Sequence, residues 1–155
     1  MIEVGRLTEA LITHLQVQTS PALVIGDGIA PREGGWQQGQ PNVHVFRPYA
    51  VVITGPATMA RPDRVAPNGS EWSVSYSVRT FAGSPSQLRT YYQRVRNAVD
   101  TFNKVLFGAD DAFKVVHAQF EQLGSETRDD SVDPPYWQVF DAVRVEASRS
   151  RFQPP

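Results

Sequence analysis

The 155-residue sequence predicts an α+β fold: a mostly antiparallel sheet of four to five strands with two helices packed on one face. Three observations predict it. From Glu71 to Phe81, Trp72, Val74, Tyr76 and Val78 alternate with Ser73, Ser75, Ser77 and Arg79, a period of two that turns one face of a strand to a core. Directly afterwards, Leu88, Tyr91, Tyr92, Val95, Ala98 and Val99 recur at helical spacing. Both candidate helices carry a single apolar stripe, so each must bury it against a sheet.

The first element is a short amphipathic helix, its stripe formed by Val4, Leu7, Leu11, Ile12 and Leu15. Thr19-Ser20-Pro21 ends it, because the residue before a proline is pushed out of helical geometry. Ala22 to Ile25 reads as a brief strand that stops at the turn signal Gly26-Asp27-Gly28. Gly26 to Asn42, rich in Gly, Gln and Pro, reads as a long loop or irregular arm with Trp36 as its one large side chain. Val43 to Phe46 and Tyr49 to Thr54 read as extended. The second is apolar on both faces, as an interior strand must be. A proline-rich loop is expected over Gly55 to Ser70.

For the long helix, Ser84 serves as N-cap, Pro85 suits the first helical position and Gln87 completes a capping box. Its stripe continues through Phe102 and Leu106, which predicts a helix over Pro85 to Phe107 of roughly 34 Å. Arg96 is expected to pair with Asp100 one turn on. Phe113 to Gln122 and Tyr136 to Ala147 supply two more strands, rich in aromatic and β-branched residues. The acidic connection Leu123 to Pro135 reads as a hairpin loop. Residues 1–147 are taken as one domain and 148–155 as a flexible tail.

Hydrophobic residues make up 41% of the chain and charged ones 20%, ordinary values for a globular protein. A net charge of −1 gives no overall drive toward nucleic acid or an anionic membrane. With no cysteine, disulfides, thiolate nucleophiles and cysteine-ligated zinc are excluded. No apolar run approaches the ~20 residues that span a bilayer. The N-terminus lacks the basic-then-apolar pattern of a signal peptide, so a soluble intracellular product is expected.

Catalytic motifs are missing. His14, His44 and His117 lie at no metal-ligand spacing. His44 is expected to point to solvent, and His117 to continue the partly buried face of Phe113 and Val115. Asp110-Asp111 reads as a solvated turn. Asp129, Asp130 and Asp133 offer oxygen ligands, but the segment lacks the glycine and terminal glutamate of an EF-hand loop. Gly26-Asp27-Gly28 is followed by neither GxGxxG nor GK[ST], and no G-x-S-x-G is present. An enzyme is not expected, nor a cofactor.

One resemblance is carried by Pro48-Tyr49-Ala50-Val51-Val52, a Pro/Gly-rich loop, Trp72-Ser73-Val74-Ser75-Tyr76-Ser77-Val78, then Gly83 and the capped helix through Val95-Arg96. The leading helix and the closing strand Tyr136-Trp137-Gln138-Val139-Phe140 fit the same layout. In this arrangement the chain resembles tail terminator proteins of long-tailed bacteriophages, especially those of actinobacterial phages. The resemblance implies a homo-oligomeric, six-membered ring on the head-proximal end of the tail tube, within the virion and assembled in the host cytoplasm. Such a ring stops tube polymerisation and joins the tube to a head–tail connector or stopper protein. DNA passes through its lumen without sequence-specific binding. No catalytic residue, metal or cofactor comes with the family.

A ring needs heterologous interfaces, and long loops and exposed strand edges are natural material for them. Trp36, Arg47, Arg61, Arg64, Arg128, Asp129 and Asp130 are the expected contact residues toward a neighbouring subunit or the tube. Two other readings stay open: another head–tail connector or tail-completion subunit, and a small enzyme or ligand-binding domain.

Overall fold

The computed structural model describes residues 2–19, 23–38, 44–59 and 71–150. Helix α1 spans Val4–Thr19 and is followed by strands β1 (Val24–Asp27), β2 (Gly35–Gln38), β3 (His44–Arg47), β4 (Tyr49–Met59) and β5 (Glu71–Ala82). Helix α2 (Pro85–Asp100) precedes β6 (Leu106–Phe107), a 3-10 turn at Ala109–Asp111, β7 (Phe113–Gln122), β8 (Thr127–Asp129) and β9 (Tyr136–Arg149).

The α+β class holds, but the sheet is larger than the four to five strands expected. Seven strands join in the order β1-β4-β5-β9-β7-β6, with β8 added to β9. All neighbours are antiparallel except β1 and β4. The strands missed are β6, two residues long, and β8, three residues long. Neither is long enough to show a period in sequence. A separate hairpin pairs β3, which was expected as extended chain, with β2, which lies inside the expected loop 26–42; the Gly-Trp-Gln-Gln of β2 has neither the alternation nor the composition of a typical strand. The expected loop from Gly55 also begins as strand. Gly55-Pro56 forms a bulge, and pairing resumes at Ala57 opposite Val74; a bulge is where a proline, lacking its N–H, fits a ladder.

Helix α2 stops at Asp100, short of the expected Phe107. The Thr101 N–H bonds back to the Ala98 and Val99 carbonyls, and Lys104 takes φ 56°. The chain then pairs with β7: Lys104 N–H donates to the Val115 carbonyl, and Val115 N–H to that of Val105. Phe102 is still fully buried, so the apolar stripe read correctly as core and wrongly as helix. Strand pairing won the backbone groups that a longer helix would have used. At the other end the expected cap is present, with Ser84 Oγ accepting from Gln87 N–H and Gln87 Oε1 accepting from Gly83 N–H.

The two faces of the sheet carry different cores. Ala50, Val52, Val74, Tyr76 and Val78 face the helices and pack with Leu7, Leu11 and Leu15 of α1 and Val95, Ala98 and Val99 of α2. The alternate residues Tyr49, Val51 and Phe81 face the other way and pack with Phe46 of the hairpin. β4 is thus interior and apolar on both sides, as its sequence predicted. α1 touches both edge strands, β1 and β6, so the sheet curls around the helices with α1 at its mouth. β9 continues to Arg149, and Ser150 N–H donates to the Ala112 carbonyl; the rest of the expected tail lies outside the described residues.

Candidate functional site

The helical period that buries Leu7, Leu11 and Leu15 turns Arg6, Ala10, Thr13 and Val17 to the opposite flank of α1. That flank and residues 105–109 enclose an open groove of about 670 Å³. Its apolar wall holds Val17, 67% exposed, and Leu106, 49% exposed. Its polar groups do not converge on a ligand position. Arg6 and Glu9 pair with each other at 3.3 Å on the exposed rim, while His14 Nε2 lies 2.8 Å from the Ala98 carbonyl oxygen and 3.0 Å from Thr101 Oγ1. β6 beside it pairs only with β7 among the described residues. Sequence reading missed this groove. Its signals were Val17, which lies off the predicted α1 stripe, and the apolar Val105-Leu106-Phe107, which was taken into the predicted long helix.

The expected contact residues fall into separate places. Trp36 packs inward, its ring edge-on to Phe46 with centroids 5.2 Å apart, and its Nε1 is buried without an acceptor among the described residues. Arg47 is exposed at the end of β3. Arg61 and Arg64 lie outside the described residues. Arg128 and Asp130 form an exposed ion pair of 2.7 Å. Asp129 accepts from the Ser131 N–H and hydroxyl. Hydrogen bonds from Ser131 and Tyr136 hold its carboxyl below the usual range, and Asp129 in turn pushes the Tyr136 phenol up to about 12, with burial adding to the rise.

The segment carrying Arg128 to Asp130 is held by a polar network from α2. Arg96 does not pair with Asp100 as expected; its Nε and Nη2 grip Asp141 at 3.1 and 2.9 Å. Asp141 is 2% exposed and also accepts from Gly124 N–H at 2.8 Å. Arg96 Nη2 donates to the Gly124 carbonyl, and its guanidinium lies over the Tyr92 ring. Two turns earlier Arg89 holds Glu126 through two bonds of 2.8 and 3.1 Å, which lowers the glutamate's pKa. Local spacing suggested the i,i+4 partner for Arg96; the buried carboxylate on β9 outcompetes it because it offers both oxygens in a site from which water is excluded.

On the outer face of the sheet, charged residues are matched in pairs. His117 approaches Glu146 at 3.6 Å. Arg144 Nε stands 3.0 Å from Glu121 Oε1 without the alignment of a hydrogen bond. His117 departs from the expected face because a bulge between Val115 and His117 shifts the register. Among the described residues no three His, Asp or Glu side chains gather where they could hold a metal ion. No helix among them is long and apolar enough to cross a membrane.

No protein-family model matches the chain, and no curated protein sequence matches it. Solved structures do. A chain of the virion of a native gene transfer agent particle is similar over 94% of this chain and 96% of its own, with a TM-score of 0.51 at 12% identity. A second solved chain is similar over 98% of this one and 95% of its own, at 13% identity and a TM-score of 0.49. At such identities the likeness to the virion chain is one of fold.

Proposed function

We propose that this chain is a structural subunit of a phage-like particle, and within it a tail terminator: a ring, six-membered as in the family it resembles, on the head-proximal end of the tail tube. The observation that carries the reading is the near end-to-end fold similarity to a chain of a gene transfer agent virion. The sequence resemblance to tail terminators supports the finer role independently. Self-association, contact with a tube subunit and contact with a head–tail connector are its partners, and virion DNA passes through the ring.

The surface chemistry supports docking over catalysis. In a ligand pocket, a few polar groups converge inside an apolar cleft; here the groove's polar groups are on its rim or satisfied within the chain. Arg47, Arg128 and Asp130 project from the surface and stand as proposed contacts. Trp36 supports that surface from beneath, by fixing the hairpin on Phe46.

The test uses purified protein, alone and with preformed tail tubes. Particle imaging is expected to show one closed ring per tube end and tubes that no longer lengthen when tube subunits are added. Tubes that keep growing past the bound protein overturn the terminator role. Binding along tube walls would point to a different tail subunit.

A further inference from the structure

We infer that residues Ser125 to Asp133 form a flap, clasped shut by the carboxylates of Glu126 and Asp129, that opens on their protonation while the rest of the domain stays folded. The inference concerns a single chain and goes beyond the ring reading.

The flap hangs between two fixed points. At one end Gly124 donates its N–H to the buried Asp141 and accepts from Arg96 at its carbonyl. A Cβ on Gly124 would run into the Phe140 backbone, so glycine is what allows so close an approach. At the other end Tyr136 packs edge-on to Phe81, with ring centroids 5.7 Å apart. Between these points burial is nearly absent. Of the nine residues Ser125 to Asp133, seven are exposed, and the two that are partly covered are Glu126 and Asp129. Val132, the flap's one apolar side chain, is 45% exposed.

Apolar burial therefore contributes almost nothing to closure, and polar contacts supply it. Glu126 is faced from α2 by Arg89, at 2.8 and 3.1 Å, and by the Tyr92 hydroxyl, which donates at 3.2 Å. Asp129 is faced by Tyr136 of β9 and by Ser131 of the flap's own turn. Beyond them Arg128 pairs with Asp130 on the surface. The third carboxylate of the region, Asp141, is gripped by Arg96 and stays with the body. β8 adds three residues of ladder to β9. A segment with so little buried apolar area opens locally, well below the cost of global unfolding.

Both carboxyls are held below their usual range, Glu126 chiefly by Arg89 and Asp129 chiefly by Ser131. Closure is thus supported above about pH 4 and lost as the pH falls through those lowered values. Opening withdraws β8 from Tyr136 to Gln138 of β9 and frees the Arg89 guanidinium. Charge on the flap thereby controls a cover over a strand edge, the kind of edge that accepts another chain.

Hydrogen exchange tests this on wild-type protein and on a double variant, Glu126→Gln with Asp129→Asn, with rates corrected for the pH dependence of unfolded amides. Both replacements keep the side-chain shape, and protection of β5 reports whether the variant is folded. At pH 7 the variant should lose about tenfold or more of the protection of residues 127–131, because neutral groups replace charge-assisted hydrogen bonds. Protection of β5 should not change. Wild-type protein at about pH 3 should show the same selective loss, whereas the variant's flap should be no more open at that pH than at pH 7. Arg89→Ala, read in the same way, removes half of the clasp from the helix side should the double variant fold poorly. Loss of protection in the flap and β5 together overturns the inference. So does wild-type flap protection in the variants at pH 7, or acid opening of equal size in the double variant.

Discussion

On α1, Leu11 and Val17 are separated by less than two turns and meet opposite fates. Leu11 is fully buried against the sheet, and Val17 is 67% exposed over the groove. The contrast extends to whole regions. Inside the curl, apolar residues close on one another, and Asp141, the one buried carboxylate among the described residues, is held by Arg96 and Gly124. Along the mouth of the curl, apolar side chains and a sheet edge without a strand partner among the described residues stand on a fixed backbone. The interior accounts for stability and the mouth for association, so substitutions in the two should separate cleanly.

The largest effect is expected inside. Asp141→Ala strands the Arg96 guanidinium and the Gly124 N–H, and losing one partner of a buried pair costs about 3–5 kcal/mol. Urea denaturation should show that loss. A drop below about 1 kcal/mol would mean that solvent reaches Arg96 and that the interior is not closed there.

Tyr76 offers a milder probe of the same interior. Burial holds its phenol at about 12, opposed by the Thr8 hydrogen bond and reinforced by Asp27. The unfolded chain loses that proton near 10. Its contribution is therefore complete below about pH 10 and lost as pH rises through about 12. Tyr76→Phe should cost about 1 kcal/mol at neutral pH. It should also flatten the alkaline decline of stability by about one proton. An unchanged alkaline slope would show that the phenol is not withheld from water.

Arg89 and Glu126 give the exposed counterpart to Arg96 and Asp141, on the same helix and the same connection. Arg89→Ala should change stability only slightly, a small fraction of the Asp141 effect, because solvent screens the exposed pair. Because Arg89 depresses Glu126, and Ser131 with Tyr136 depresses Asp129, both carboxylates stabilise above their unfolded values. That support disappears as pH falls below about 4. Hydrogen exchange of residues 124–131 should accelerate there before that of β5 does. Simultaneous acceleration would mean the segment is part of the global unit.

Smallest of all for stability is Ile29→Ser, within about 0.5 kcal/mol as for other exposed sites. A larger loss would move Ile29 from the mouth to the interior.

How much of this was legible follows from periodicity. β5, with its serine alternation, and the capped start of α2 were readable because each long element repeats one rule. β6 and β8 were not, since two or three residues carry no period and owe their strand form to neighbours. Phe102 shows the limit well: its burial was evident, but the backbone just beyond it, at Lys104 and Val105, is claimed by hydrogen bonds to Val115, distant from the helix pattern. Trp36 was singled out as a lone aromatic in a polar loop, but its loop is a hairpin that folds the ring onto Phe46. The groove escaped notice because its wall joins two segments about ninety residues apart, and no local pattern marks such a meeting.

The central claim is decided most directly by cryo-electron imaging of an intact particle encoding this chain. The account predicts density for a closed ring of copies between tail tube and head, each fitting this fold. A neck lacking this subunit, or the chain found only elsewhere in the particle, would contradict it.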